Sequence, residues 1–203
     1  MSVIIGLTGQ TGAGKTTVSG LFAEAGAFVI NCDALTRNIV DEDELTDREI
    51  KRGFPDFFTE GRFDRVKAAA ALFSDGELLK RYNAAIFPHI TRLIDGVIRE
   101  AEESGRGYIM LDAPTLFEAG MDKRCDKIIS CTAPEELRIK RIMLRDGITE
   151  ERARARISAQ HTEDFFRSHS DFVIENGGDE GALRAEAKKV IGELGMRNSE
   201  FGI

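Results

Sequence analysis

The sequence predicts an α/β fold: a parallel sheet flanked by helices, carrying a helical insertion and a helical lid. Three observations predict it. A glycine loop stands between an apolar run and an amphipathic helix at the N-terminus. Further short apolar runs at 27–30, 108–112, 127–131 and 171–174 recur with helical stretches around them, the alternation of βαβ units. Between about 41 and 104 helical periodicity runs without a parallel-strand pattern.

Taken in order, Val3-Ile4-Ile5-Gly6-Leu7 reads as a buried strand. Gly9-Gln10-Thr11-Gly12-Ala13-Gly14-Lys15-Thr16 follows and fits G-x-x-x-x-G-K-[ST], a phosphate-binding loop. Glycines let backbone N–H groups turn inward around an anion, and the helix beyond adds its unpaired N–H groups and the positive end of its dipole. Gly12, Ala13, Gly14, Lys15, Thr16 and Thr17 are therefore the candidate nucleotide-phosphate site. Lys15 suits the outer phosphates of a nucleotide, and the Thr16 hydroxyl suits Mg2+. Val18, Leu21, Phe22 and Ala25 form the apolar face of a helix ending near Gly26.

Ala27-Phe28-Val29-Ile30 is a second strand, and Asn31-Cys32-Asp33 follows it. Ligands gather at the carboxyl ends of strands in open α/β sheets, which makes Asp33 a candidate site residue. It equally suits the N-cap of a helix beginning at Ala34. Position alone leaves both roles open.

Helical spacing covers Leu45 to Ile50, Val66 to Phe73, Leu78 to Ile86 and Ile90 to Ala101, with turns at Gly53-Phe54-Pro55, Glu60-Gly61 and Asp75-Gly76. A crossover helix needs far fewer residues, so 41–104 is expected to be an inserted substrate-binding subdomain within one domain spanning 1–203. Tyr108-Ile109-Met110-Leu111-Asp112 resumes the sheet and ends on an acid placed to help hold Mg2+. Lys127 to Cys131 is a fourth strand. Pro134, Glu135 and Glu136 open a helix in which Arg138, Arg141 and Arg145 fall within one face. Residues 138–156 hold seven Lys/Arg against three Asp/Glu, and a second helix runs from Thr149 to about Gln160. An arginine-bearing helix pair over 136–168 is the expected lid on a polyphosphate, with a merely solvated charged face as the alternative reading of the run. Asp171 to Ile174 is a fifth strand. Asp179 caps a last amphipathic helix through Leu194, and 195–203 are expected to fray.

A net charge of −7 argues against binding nucleic acid through bulk charge, and no apolar run reaches membrane-spanning length. Cytoplasmic residence is the default expectation, as a monomer or weak oligomer with small-molecule partners. Cys32, Cys125 and Cys131 lack C-x-x-C spacing, which predicts buried or half-buried free thiols. His89, His161 and His169 show no metal-ligand spacing.

These residues together resemble the dephospho-CoA kinase family almost end to end. Gly6-Leu7-Thr8-Gly9 through Lys15-Thr16-Thr17 resembles its opening G-L-T-G-x-x-x-S-G-K-S-T. Val29-Ile30-Asn31-Cys32-Asp33 through Arg37 resembles V-I-D-A-D-x-x-A-R, and Asp33 matches the family's proposed general base. Gly53-Phe54 and Phe63-Asp64-Arg65 resemble landmarks of its acceptor-binding subdomain, and Pro114-Thr115-Leu116-Phe117-Glu118 resembles P-L-L-F-E. Arg141 and Arg145 stand where the lid arginines fall, and Gln160 and Asn176-Gly177 match two later landmarks. Asn31 replaces an aspartate, Phe87-Pro88 replaces His-Pro, and Thr115 replaces a leucine. The resemblance implies a P-loop kinase-like fold and ATP-dependent phosphorylation of the ribose 3′-hydroxyl of dephospho-CoA. It implies Asp33, Lys15 and Arg141 as catalytic, with Arg145 and Asn176 on the nucleotide and Thr16 and Asp112 on Mg2+. A nucleoside or nucleoside-monophosphate kinase shares the loop, lid and insertion. A nucleotide-binding switch should carry N-K-x-D, which this sequence lacks.

Overall fold

The computed structural model describes residues 2–196 of the chain. Its strands are β1 (Val3–Gly9), β2 (Phe28–Asn31), β3 (Phe58–Thr59), β4 (Arg62–Phe63), β5 (Tyr108–Asp112), β6 (Lys127–Thr132) and β7 (Phe172–Glu175). Its α-helices are α1 (Lys15–Glu24), α2 (Cys32–Thr36), α3 (Ile39–Glu42), α4 (Glu44–Gly53), α5 (Arg65–Ser74), α6 (Gly76–Glu103), α7 (Glu135–Asp146), α8 (Glu150–Ser158), α9 (Glu163–Ser168) and α10 (Glu180–Glu193). The described chain divides into two compact units. One joins the residues through Asn31 to those from Glu100 onward, and the other is Cys32–Arg99.

In the first unit five strands form one parallel sheet in the order β2-β5-β1-β6-β7. The central strand β1 is covered on both faces, which is why it reads as a continuous apolar run rather than an alternation. The register sets Leu7 opposite Asp112 and Ile129, Asn31 opposite Asp112, and Gly9 opposite Cys131. Val18, Leu21 and Phe22 of α1 pack with Leu183, Ala187 and Val190 of α10 onto Met110, Ile129 and Ile174. None of the three cysteines forms a disulfide; two are buried and Cys125 is half-buried, as expected. Gly195 and Met196 depart from the expected frayed tail: Met196 is buried in this core. The remainder of that tail, 197–203, lies outside the described residues. A short helix, α9, was also not foreseen. Thr162 caps it by accepting from the Phe165 N–H at 3.3 Å, and it packs Phe165 and Phe166 on Phe117.

The second unit has its own core of Ile39, Val40, Ile50, Phe54, Phe57, Ala68 and Ile86. Asp43 and Asp64 cap α4 and α5 through the Thr46 and Lys67 N–H groups. Three expectations change here. The turn at Glu60-Gly61 closes a two-stranded hairpin with Phe58 opposite Phe63; both turn residues have positive φ, the twist that suits tight hairpins. Leu78–Ile86 and Ile90–Ala101 merge into the single 28-residue α6, which runs through Pro88. Pro88 and Ala84 are both exposed, so the carbonyl that proline leaves unpaired can meet water. Meanwhile Ile86, Ile94, Ile98 and Ala101 keep one buried stripe unbroken. Asp33 falls inside the first turn of α2, which begins at Cys32, and so does not cap a helix from Ala34. Cys32 is buried and its carbonyl accepts the Thr36 hydroxyl at 2.7 Å, so the chain turns helical directly after β2.

Candidate active site

The glycine loop joins β1 to α1 and is braced from outside by three later segments. Gly12 and Gly14 have φ of 78° and 93°. A Cβ on Gly12 would lie 2.9 Å from the Arg138 carbonyl oxygen, and one on Gly14 would lie 2.3 Å from Asn176 Nδ2. The motif's glycines thus answer to neighbours as well as to a phosphate. Asn176, just past β7, donates from Nδ2 to the Ala13 carbonyl at 2.9 Å. Arg141 donates to the Gly12 carbonyl at 3.3 Å and to the Asn176 carbonyl and Oδ1 at 3.2 and 3.3 Å. Gln160 accepts from the Thr11 N–H at 2.7 Å. In a trans peptide C=O and N–H point opposite ways, so tying the Ala13 carbonyl outward turns the Gly14 N–H toward the concave side.

Lys15 opens α1 and folds back, its Nζ 3.4 Å from the Gly9 carbonyl. Thr16 and Thr17 follow with exposed side chains. Asp112 closes β5 and is 8% exposed, beside β1 and β2 in the register. The Cys131 thiol is pushed up to about 12, mainly by burial; Lys15 opposes that shift and Asp112 adds to it. An ammonium, a carboxylate and the loop therefore share the carboxyl end of the sheet.

The three arginines of α7 have different fates. Arg138 is 5% exposed, donates from Nε to the Ala133 carbonyl at 3.0 Å, and has its pKa lowered by burial. It is a wall behind Gly12 rather than part of a solvated face. Arg141 grips the loop. Arg145 binds Asp146 instead. Gln10 had no sequence signal: it is 3% exposed and accepts the Ala133 N–H at 3.3 Å.

Asp33 belongs to the second unit, near the start of α2. That unit carries an open, solvent-facing pocket of about 310 Å3 whose lining includes Thr36, Arg37, Phe63, Arg65, Tyr82 and Phe87. Arg65 donates to Asn38 Oδ1 at 3.1 Å, to the Arg37 carbonyl at 3.3 Å and to the Asp41 carboxylate. Burial raises the Tyr82 phenol above its ordinary value. His89 is 6% exposed with Nε2 3.0 Å from Glu49, which makes it a packed histidine.

Residues 3–181 match the sequence model of dephospho-CoA kinase. A dephospho-CoA kinase of Mesorhizobium japonicum is 34% identical over 198 residues, covering 97% of this chain and 100% of the relative. A solved Thermus thermophilus structure is 36% identical with a TM-score of 0.80, covering 95% of this chain and 98% of that one. The dephospho-CoA kinase of Campylobacter jejuni is 27% identical with a TM-score of 0.69, covering 96% and 98%.

Proposed function

The chain belongs to the dephospho-CoA kinase family, and on that premise we propose how its residues divide the reaction. The activity is transfer of the γ-phosphoryl group of ATP to the ribose 3′-hydroxyl of dephospho-CoA, giving coenzyme A and ADP. The observation that carries it is the family match over 3–181. One P–O bond to the ADP leaving group breaks while one to the 3′-oxygen forms, so the protein's task is positioning and charge stabilisation.

The amides of Gly12 to Thr17 and the Lys15 ammonium hold the β- and γ-phosphates. Arg141 and Asn176 fix the loop and the nucleotide beside it. Asp33 accepts the proton of the acceptor hydroxyl. The Thr16 hydroxyl and Asp112 carboxylate form an all-oxygen donor pair of the kind Mg2+ takes alongside substrate phosphates. Bound there, Mg2+ would neutralise charge on the substrate phosphates. The region 136–168 is the lid, with Arg145 on it, and its closure excludes water that would otherwise take the phosphoryl group.

The helical region 41–104 takes the acceptor. Support comes from the pocket, where apolar walls suit an aliphatic pantetheine arm and Arg37 and Arg65 suit its diphosphate. No helix among the described residues is long and apolar enough to cross a membrane. Cytoplasmic residence and a monomer or weak oligomer, without nucleic-acid or membrane partners, complete the proposal.

An acceptor panel with γ-labelled ATP tests it. Dephospho-CoA is expected to take the label while nucleosides and nucleoside monophosphates do not. Labelling of a nucleoside monophosphate in place of dephospho-CoA would overturn the assignment.

A further inference from the structure

The hairpin of α7 and α8 carries a cluster around Asp146, a carboxylate to which the roles above assign nothing. Each side of the hairpin hydrogen-bonds the glycine loop, α7 through Arg141 on Gly12 and the second side through Gln160, just past α8, on Thr11. Four residues from each contact, about one helical turn or 5.4 Å, stands another arginine: Arg145 beyond Arg141, and Arg156 before Gln160. Both converge on one carboxylate. Arg145 donates from Nε and Nη2 to the two oxygens of Asp146 at 2.7 and 2.8 Å, and Arg156 donates to Asp146 Oδ2. The two arginine side chains are about half or more open to solvent, at 61% and 49%, while the Asp146 side chain is 21% exposed. Arg154 is engaged elsewhere, by Glu135, Glu136 and Glu150. Hydrogen bonding from Arg145 first, then from Arg156, holds the Asp146 carboxyl at about 2. It is therefore an anion throughout the neutral range.

A staple between the helices would need only Arg156. Arg145 neighbours Asp146 on the same helix, so its two-pronged bond crosses no interface; what it fixes is the direction of the guanidinium. We propose that Asp146 is a positioning residue, a built-in anion that holds Arg145 and Arg156 on the hairpin until the outer phosphates of ATP replace it. The proposal rests on the assignment of this hairpin as the lid. Carboxylate and phosphate are both recognised by the same planar fork of donors, so they compete for it. Nucleotide affinity is then reduced by the fraction of time the arginines are held. Exposed ion pairs favour the paired state by roughly 1.5- to 5-fold each. Releasing two of them multiplies to roughly 2- to 25-fold, and about three- to tenfold is the middle of that range.

Asp146→Asn keeps the shape and removes the charge. Calorimetry with a non-hydrolysable ATP analogue and with AMP, alongside Tm, provides the readout. The analogue is expected to bind about three- to tenfold tighter to the variant, AMP is expected not to change, and the gain should shrink as salt rises. Asp146→Glu should stay near wild type. A purely structural staple predicts a lower Tm with unchanged or weaker analogue binding, and that result overturns the proposal. Asp146→Ser serves the same comparison if the asparagine variant does not fold. In an Arg145→Gln, Arg156→Gln background the Asp146→Asn gain should vanish; its persistence also overturns the proposal. If that double variant binds the analogue and turns over like wild type, the lid assignment itself fails, by a readout separate from Asp146.

Discussion

Asp43 shows how one side chain can serve several partners at once. Its carboxylate caps α4 through the Thr46 N–H, takes the Thr46 hydroxyl and receives Arg92 of α6 at 2.6 Å. The Thr46 hydroxyl bond is the largest cause holding its pKa below the usual carboxylate value. A folded-state pKa below the unfolded one means the stabilisation is fully present above the unfolded value, about 3.9, and fades as pH falls through the lowered folded value. Asp43→Asn is therefore expected to flatten the acid limb of a Tm-versus-pH curve below about pH 4. An unchanged acid limb would remove Asp43 as a contributor. Such a residue was only partly legible. The cap could be read from local spacing, but Arg92 lies 49 positions away. Gln10 is the harder case, since a buried amide whose partner is a backbone N–H at Ala133 leaves no residue pattern to detect.

At the scale of elements, the glycine loop and its braces behave as one piece. Gly14 has φ of 93°, and its missing Cβ is the space filled by Asn176 Nδ2. Gly14→Ala must strain the backbone and displace the amide that holds the Ala13 carbonyl. We expect a loss of about 1–3 kcal/mol in stability and nucleotide binding weakened at least about tenfold, measured by denaturation and by calorimetry with ADP. Near-native affinity would mean that Asn176 moves freely and does not shape the loop. The glycine motif was legible because phosphate chemistry demands those residue types at fixed spacing. The inner face of α5 was not. Val66 and Phe73 carry helical spacing yet are 81% and 91% exposed, while Ala68 faces the core. Spacing located that helix, but an alanine-rich stretch offers too little contrast to orient it. Pro88 misled differently: a proline normally ends a helix, but here the carbonyl it orphans belongs to an exposed residue.

For the molecule as a whole, the sheet positions the chemistry and the second unit holds a pocket of its own. The five parallel strands were readable as short apolar runs: the three inner ones, β5, β1 and β6, are largely buried and need no alternation, and the edge strands β2 and β7 are half-buried but apolar. Their order was not readable from the runs themselves, since it depends on which crossovers skip a neighbour. The candidate base shows the same boundary. Asp33 could be proposed from its place after a strand and from family resemblance, but position alone left a capping role equally open.

The most direct measurement follows the new phosphate by 31P and 1H NMR after incubation with ATP and dephospho-CoA, for wild type and for Asp33→Asn. Wild type is expected to give a phosphomonoester coupled to the ribose 3′ proton, and Asp33→Asn to slow its appearance at least about a hundredfold at unchanged Tm. A phosphate at another position, ATP hydrolysis without acceptor phosphorylation, or full activity in folded Asp33→Asn would contradict the account.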